Sequence, residues 1–108
     1  MRSFALSLAG AAAIAFLATA RALLEDKFTY MTNWYAQAEH GGFYQAVAQG
    51  IYKKYGLDVT IKMGGPQVNI TQMMAAGQAD CIMGSSDIQM MQVREGGVPV
   101  VNVAAFFQ

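Results

Sequence analysis

From Lys27 onward the spacing of apolar residues switches between a period of two and a period near four, the signature of strands alternating with helices. Phe28-Thr29-Tyr30-Met31-Thr32 is β-branched and aromatic and stops at Asn33, which predicts a first strand. Phe43, Val47, Ile51 and Tyr55 then recur every four residues, a helical stripe that Gly50 and Gly56 divide into a first helix and a short second one. Leu57, Val59, Ile61 and Met63 alternate with Asp58, Thr60 and Lys62, the pattern of a strand with one buried face. After Gly64-Gly65-Pro66, Asn69 followed by Gln72 is a capping-box pair that opens a helix ending at Gly77. Cys81-Ile82-Met83 is a short continuous apolar run, as in a strand covered on both faces. Ser86 with Gln89 repeats the capping pattern and starts a third helix that Gly96-Gly97 stops. Val100 to Phe107, led in by Pro99, predicts a fourth strand.

Four strands separated by three helical regions make three βαβ units, so the crossovers are expected to be right-handed and the sheet parallel. The fold class is α/β, an open parallel sheet with flanking helices. The sequence stops at Gln108 directly after the fourth strand, without a closing helix, and the expectation is a truncated chain.

The residues before this alternation have another pattern. Met1-Arg2 precedes an uncharged, Ala- and Leu-rich run from Phe4 to Ala20, closed by Ala18-Thr19-Ala20 and Ala20-Arg21-Ala22, both of which suit a signal peptidase. A membrane anchor is the competing reading, but the run is short for a span and diluted by Ala and Gly. Residues 1–22 are therefore expected to be a cleaved export signal and residues 23–108 a partial α/β lobe. Cleavage after Ala22 removes Arg2 and Arg21 and leaves five basic against seven acidic residues, a net charge of −2.

Composition narrows the function. Apolar residues make up 55% and charged residues 13%, so the chain builds a core and is not disordered. The whole chain has net charge zero and no basic run, which argues against a nucleic-acid partner. One cysteine, Cys81, and one histidine, His40, exclude an internal disulfide and a zinc site, and no metal or cofactor is expected. Cys81 reads as a small buried hydrophobe, and the methionines after Met1 read as flexible core filling. Gly64-Gly65-Pro66 has neither dinucleotide nor P-loop spacing, and no nucleophile–base pair appears at a motif spacing. Asn69-Ile70-Thr71 matches a glycosylation acceptor but is explained as a helix cap.

In an open parallel sheet, ligands bind beyond the carboxyl ends of the strands. Those ends are Asn33-Trp34-Tyr35, Gly64-Gly65-Pro66, Gly84-Ser85-Ser86 and Gln108, four short segments expected to meet at one edge. Ser85 and Ser86 offer hydroxyls and helix-start N–H groups to an anionic oxygen, although capping alone also accounts for Ser86. Trp34 sits in a loop after a strand, where it has less reason to be packing and suits a flat heterocycle. His40 could contact such a ring or be structural, and Phe43 fits helix packing better than a site.

Asn33-Trp34, His40, Gly42-Phe43-Tyr44-Gln45-Ala46, Gly50-Ile51-Tyr52, Tyr55-Gly56-Leu57-Asp58-Val59, Ala76-Gly77-Gln78-Ala79-Asp80 and Gly97-Val98-Pro99-Val100 occur in one order. This ordered set resembles the opening lobe of the SsuA/THI5-like family, most members of which are periplasmic solute-binding proteins of ABC importers. The resemblance implies the first part of lobe one of a type II periplasmic binding protein, in which two α/β lobes close over a ligand. It also implies that Trp34 and His40 contact a heterocycle and that Gly65, Ser85 and Ser86 hold an anion. The function expected on this ground is that of an exported, monomeric receptor without catalytic activity. It would bind a thiamine-precursor pyrimidine or similar heterocycle in preference to sulfonate, nitrate or taurine. Its partners would be that small molecule and an inner-membrane ABC permease with its ATPase.

The same family includes fungal enzymes that make the thiamine pyrimidine phosphate, consuming pyridoxal phosphate and a histidine of their own in an iron-dependent reaction. That implies the alternative function, hydroxymethylpyrimidine phosphate synthase. The enzymes' histidine aligns with the helix after the third strand, where this chain reads Ser86-Asp87-Ile88-Gln89, and this departure counts against synthase activity. Their cysteine-rich motif would fall beyond position 108.

Overall fold

A computed structural model describes residues 25–106 of the chain. Three strands form one parallel sheet: β1 (Asp26–Met31), β2 (Leu57–Lys62) and β3 (Cys81–Ile82), in the order β2-β1-β3. The helices are α1 (Gly41–Ala48), α2 (Ile51–Lys54), α3 (Ile70–Ala75) and α4 (Asp87–Glu95), and a 3-10 turn at Ala38–His40 leads into α1. The architecture is an open α/β sheet flanked by helices, as the periodicity predicts. The leader expected over residues 1–22 lies outside the described residues, among which no helix is long and apolar enough to cross a membrane.

β1 holds the sheet together because it alone has neighbours on both sides. Its pairing with β2 runs the whole strand, from Asp26 opposite Leu57 to Met31 opposite Lys62. Its pairing with β3 covers only Tyr30 opposite Cys81 and Met31 opposite Ile82. Burial along β1 follows this asymmetry, from exposed Asp26 and Lys27 to Met31 at 2% exposure and Thr32 at 0%. The apolar core is small: Met31, Ala79 and Met90 are its buried members among the described residues. Met90 of α4 reaches Gly84, where an added Cβ would lie 3.4 Å from its side chain.

Where β3 has not yet begun, a side chain continues the ladder. The Asp80 carboxylate accepts the Thr29 backbone N–H at 2.7 Å, and the Asp80 N–H donates to the Thr29 carbonyl at 2.9 Å. The short β3 therefore docks on β1 with Asp80 supplying the acceptor that a longer strand would have offered from its backbone.

The helix boundaries follow local chemistry. Gly50 separates α1 from α2 at φ +66°, a left-handed conformation disfavoured for residues with a Cβ. The Asn69 side chain accepts the Gln72 backbone N–H at 3.0 Å and caps α3, as the spacing predicts. Ser86 stands at the start of α4 in extended backbone, yet its side chain makes no capping bond, so only half of that expectation is met.

The expected fourth strand is absent among the described residues, and with it the third βαβ unit. Residues 99–106 are without strand structure, and Val101 and Val103 are 73% and 81% exposed. Strand propensity needs an edge to pair with, and the two-residue β3 presents a short one. The segment is tied to α4 instead, by Arg94 Nη1 donating to the Val100 carbonyl at 2.9 Å. Phe106 meets Phe43 edge-on at 5.5 Å, and Phe43 in turn lies 4.6 Å from Tyr30 of β1. Phe43 is thus a packing residue, as its place in the helical stripe suggests.

Burial, with Cys81 and Tyr52 nearby, pushes the Tyr30 hydroxyl up to about 12, and burial raises Tyr52 in the same direction. A phenol whose folded pKa is raised supports the fold below its ordinary pKa of 10 and loses that support as pH climbs through about 12. Burial raises the Cys81 thiol from 9.0 as well, so the urea midpoint should begin to fall above pH about 9 and fall more steeply above about 10, and Tyr30→Phe should remove part of the steeper fall. Asp80→Ala should lower unfolding stability by about 1–2 kcal/mol in the same assay, with Asp80→Asn recovering part because its amide oxygen still accepts.

Candidate functional site

The carboxyl ends of the three strands are knit together by side chains of the loop after β1. Thr32, directly past β1, is fully buried, and its hydroxyl is used twice. It accepts the Gly64 N–H at 3.2 Å from the loop after β2, and it donates to the Trp34 carbonyl at 2.8 Å. Gly64 can come this close only because it lacks a Cβ, which would run into the Thr32 carbonyl and lie 2.9 Å from the Asn33 carbonyl carbon. Gly65 is buried beside it under the Tyr35 ring, where a Cβ would sit 3.0 Å from the ring edge. Its carbonyl accepts the Val68 N–H at 3.0 Å.

Asn33 makes the connection to the third loop. Its amide nitrogen donates to Ser85 Oγ at 3.2 Å, and its amide oxygen lies 3.2 Å from His40 Nε2. His40 is 1% exposed, and its other ring nitrogen, Nδ1, is buried with no hydrogen-bond partner among the described residues. Ser85 and Ser86 are exposed, as are Trp34 and Tyr35, whose rings meet edge-to-face at 5.7 Å.

The expected residues therefore occupy different depths. Trp34, Ser85 and Ser86 are open to solvent, whereas Gly65 and His40 lie beneath, and Asn33 joins His40 to Ser85. Asn33 and Thr32 were missed as site residues by sequence reasoning, which used Asn33 as a strand terminator and Thr32 as a β-branched strand former. The available signal was two consecutive polar residues directly before a loop tryptophan at a strand's carboxyl end. Cys81, half-buried on β3, has a free thiol that burial pushes up, as befits a packing residue.

Two open grooves lie away from this network. One, of about 440 Å³, is lined by Glu39, Gly42, Phe43, Tyr52, Met83 and Phe106, the last packing edge-on against Phe43 of α1. The other, of about 460 Å³, flanks α3 at Gln67, Asn69, Gln72 and Gln78. The strand-end edge itself is a surface of short polar and aromatic side chains, suited to a flat ring bearing hydrogen-bonding groups.

The family model described as NMT1/THI5 like matches residues 37–108. This chain belongs to the NMT1/THI5-like family. It is similar to the 4-amino-5-hydroxymethyl-2-methylpyrimidine phosphate synthase of Aspergillus parasiticus, 28% identical over 81 residues, 74% of this chain and 23% of that protein. It is also similar to the proteins of the same name designated THI11 and THI5 in Saccharomyces cerevisiae, each 30% identical over 80 residues, with the same shares of the two chains. The chain thus spans about a quarter of the length of the curated relatives it matches. No solved structure matches it.

These relatives correct the expectation of a protein without catalytic activity, because the proteins this family member matches are named as synthases. The expectation rested on missing nucleophile–base and nucleotide motifs, and those spacings report only a few kinds of chemistry. The same relatives favour the thiamine-pyrimidine branch of the resemblance over an importer's receptor.

Gly64→Ala should lower stability by about 1–3 kcal/mol, measured by urea unfolding, because the added Cβ forces the β1 and β2 loops apart and strands the Thr32 hydroxyl. Gly42→Ala, where a Cβ meets nothing within 4 Å, should leave stability within about 0.5 kcal/mol.

Proposed function

We propose that this chain forms the opening part of a protein that produces 4-amino-5-hydroxymethyl-2-methylpyrimidine phosphate, with the carboxyl edge of its sheet holding the flat ring and its anionic group. The observation that carries this reading is the 28–30% identity, over 74% of the chain, to proteins bearing that activity in their names. The edge supports it chemically. Trp34 offers an exposed aromatic face for a ring to stack on, and Ser85 and Ser86 offer hydroxyls to its polar substituents. Gly65 acts at one remove, by letting the edge of the Tyr35 ring come close to the loop.

The family resemblance brings iron and pyridoxal phosphate into this reaction. Among the described residues no group of three or more His, Cys, Asp and Glu is placed to hold a metal ion. The loops at 33–40, 64–69 and 84–86 contain no lysine to bind an aldehyde carbon, and Lys62 at the carboxyl end of β2 donates its Nζ to the Gln78 carbonyl at 3.3 Å. The residues of these loops therefore do not fit a metal or an aldehyde-linked cofactor. What the edge can do is bind and orient: stacking on Trp34 sets the ring plane, and the serine hydroxyls set its rotation within that plane.

The test uses the full-length protein containing this chain, incubated with pyridoxal phosphate and ferrous iron, with the pyrimidine phosphate read by mass spectrometry. Formation of the pyrimidine phosphate supports the reading. Saturable binding of the pyrimidine with no product in any iron-loaded preparation overturns it and leaves a receptor that hands its ligand to a permease. In the same protein, Trp34→Ala should weaken pyrimidine binding by about 1–3 kcal/mol, measured by calorimetry.

A further inference from the structure

His40 and Ser85 stand at opposite depths of one hydrogen-bonded chain. His40 is 1% exposed, Ser85 is open to solvent, and Asn33 bridges them with contacts of 3.2 Å on each side. An amide held at both ends has two orientations with different consequences. With its oxygen toward His40, the ring donates from Nε2, Asn33 donates to Ser85 Oγ, and the serine proton is left for an outside acceptor. With the amide reversed, Ser85 turns its proton inward to Asn33, and His40 must carry its own proton on Nδ1. Nδ1 is buried with no partner among the described residues, so the reversed state leaves an orphaned buried N–H donor there. The first state leaves only an unfilled acceptor lone pair at the same atom, which proteins tolerate better.

We propose that His40, Asn33 and Ser85 form a one-way hydrogen-bond relay, with Asn33 as its positioning residue, that presents the Ser85 hydroxyl as a donor to a phosphoryl oxygen of the bound ligand. The proposal rests on the reading of this edge as a pyrimidine phosphate site. It assigns His40 a role different from ring contact: buried beneath the loop, it fixes the orientation of Asn33. Because the relay occupies one Ser85 lone pair and turns the hydroxyl proton outward, it favours the phosphorylated pyrimidine, whose anionic oxygen is a stronger acceptor than the hydroxyl of the free alcohol.

The test reads the relay in the full-length protein with and without ligand. Long-range proton–nitrogen NMR of His40, assigned by the signal lost in His40→Gln, should show the Nε2–H tautomer, and an Nδ1–H tautomer overturns the relay whatever binds. Calorimetry with 4-amino-5-hydroxymethyl-2-methylpyrimidine phosphate and with the unphosphorylated pyrimidine reads the second part. Asn33→Asp keeps the shape but accepts from both neighbours and draws the serine proton inward. It should weaken the phosphorylated ligand by roughly 10–100-fold and the free pyrimidine by about twofold or less. In a Ser85→Ala background the same change should weaken the phosphorylated ligand by about threefold at most, the residue of plain charge repulsion. An equal loss in both backgrounds overturns the relay. His40→Gln, whose amide N–H can replace Nε2–H, should retain affinity within about threefold where His40→Ala does not. If the wild-type protein binds neither pyrimidine, the proposed function fails, and the relay stands or falls on the tautomer alone.

Discussion

The hydroxyl of Thr32 is the point on which the working edge of this fold depends. It is fully buried, so both of its hydrogen-bonding capacities must be met inside the protein. Meeting them draws the loop after β2 against the loop after β1, through the Gly64 N–H, and bends the chain so that the Trp34 carbonyl returns to the same oxygen. Everything exposed at that edge inherits its position from this arrangement. Trp34 faces outward because its backbone is held inward, and Tyr35 settles on Gly65 because no side chain intervenes.

The edge is also the deepest part of a thin structure. Pairing on both sides of β1 exists only near Tyr30 and Met31, and the buried residues Met31, Thr32 and His40 gather around that end. A strand of two residues brings little surface of its own, and Asp80 compensates by giving its carboxylate to the Thr29 N–H that the sheet would otherwise leave unpaired on that side. Burial is thus concentrated beneath the polar network of Asn33, His40 and Ser85, the support that holding side chains in one orientation requires.

Much of the scaffold was legible because local rules govern it. Gly50 takes its left-handed turn, and Asn69 caps its helix, for reasons contained within a few residues of each. The segment from Val100 misled for the complementary reason: its β-branched residues state a preference that only a neighbouring strand can satisfy. Asn33 was illegible as a site residue because its meaning lies in partners 7 and 52 positions away. His40 could be singled out from the sequence, but its depth could not, since burial of a lone polar residue depends on which loops fold over it. The likeness to proteins named as synthases, over a quarter of their length, is spread along the chain and carried by no single motif in it.

By itself the sequence determined the alternation of strands and helices, the parallel α/β class and the meeting of three loops at one edge. Periodicity and crossover geometry carry that information within short stretches of chain. Only the tertiary structure decided how deep each candidate lies, which amide joins them and in which direction its hydrogen bonds run. Those are properties of contacts between residues far apart in sequence, and a buried polar atom takes its orientation from whichever partners the fold brings to it.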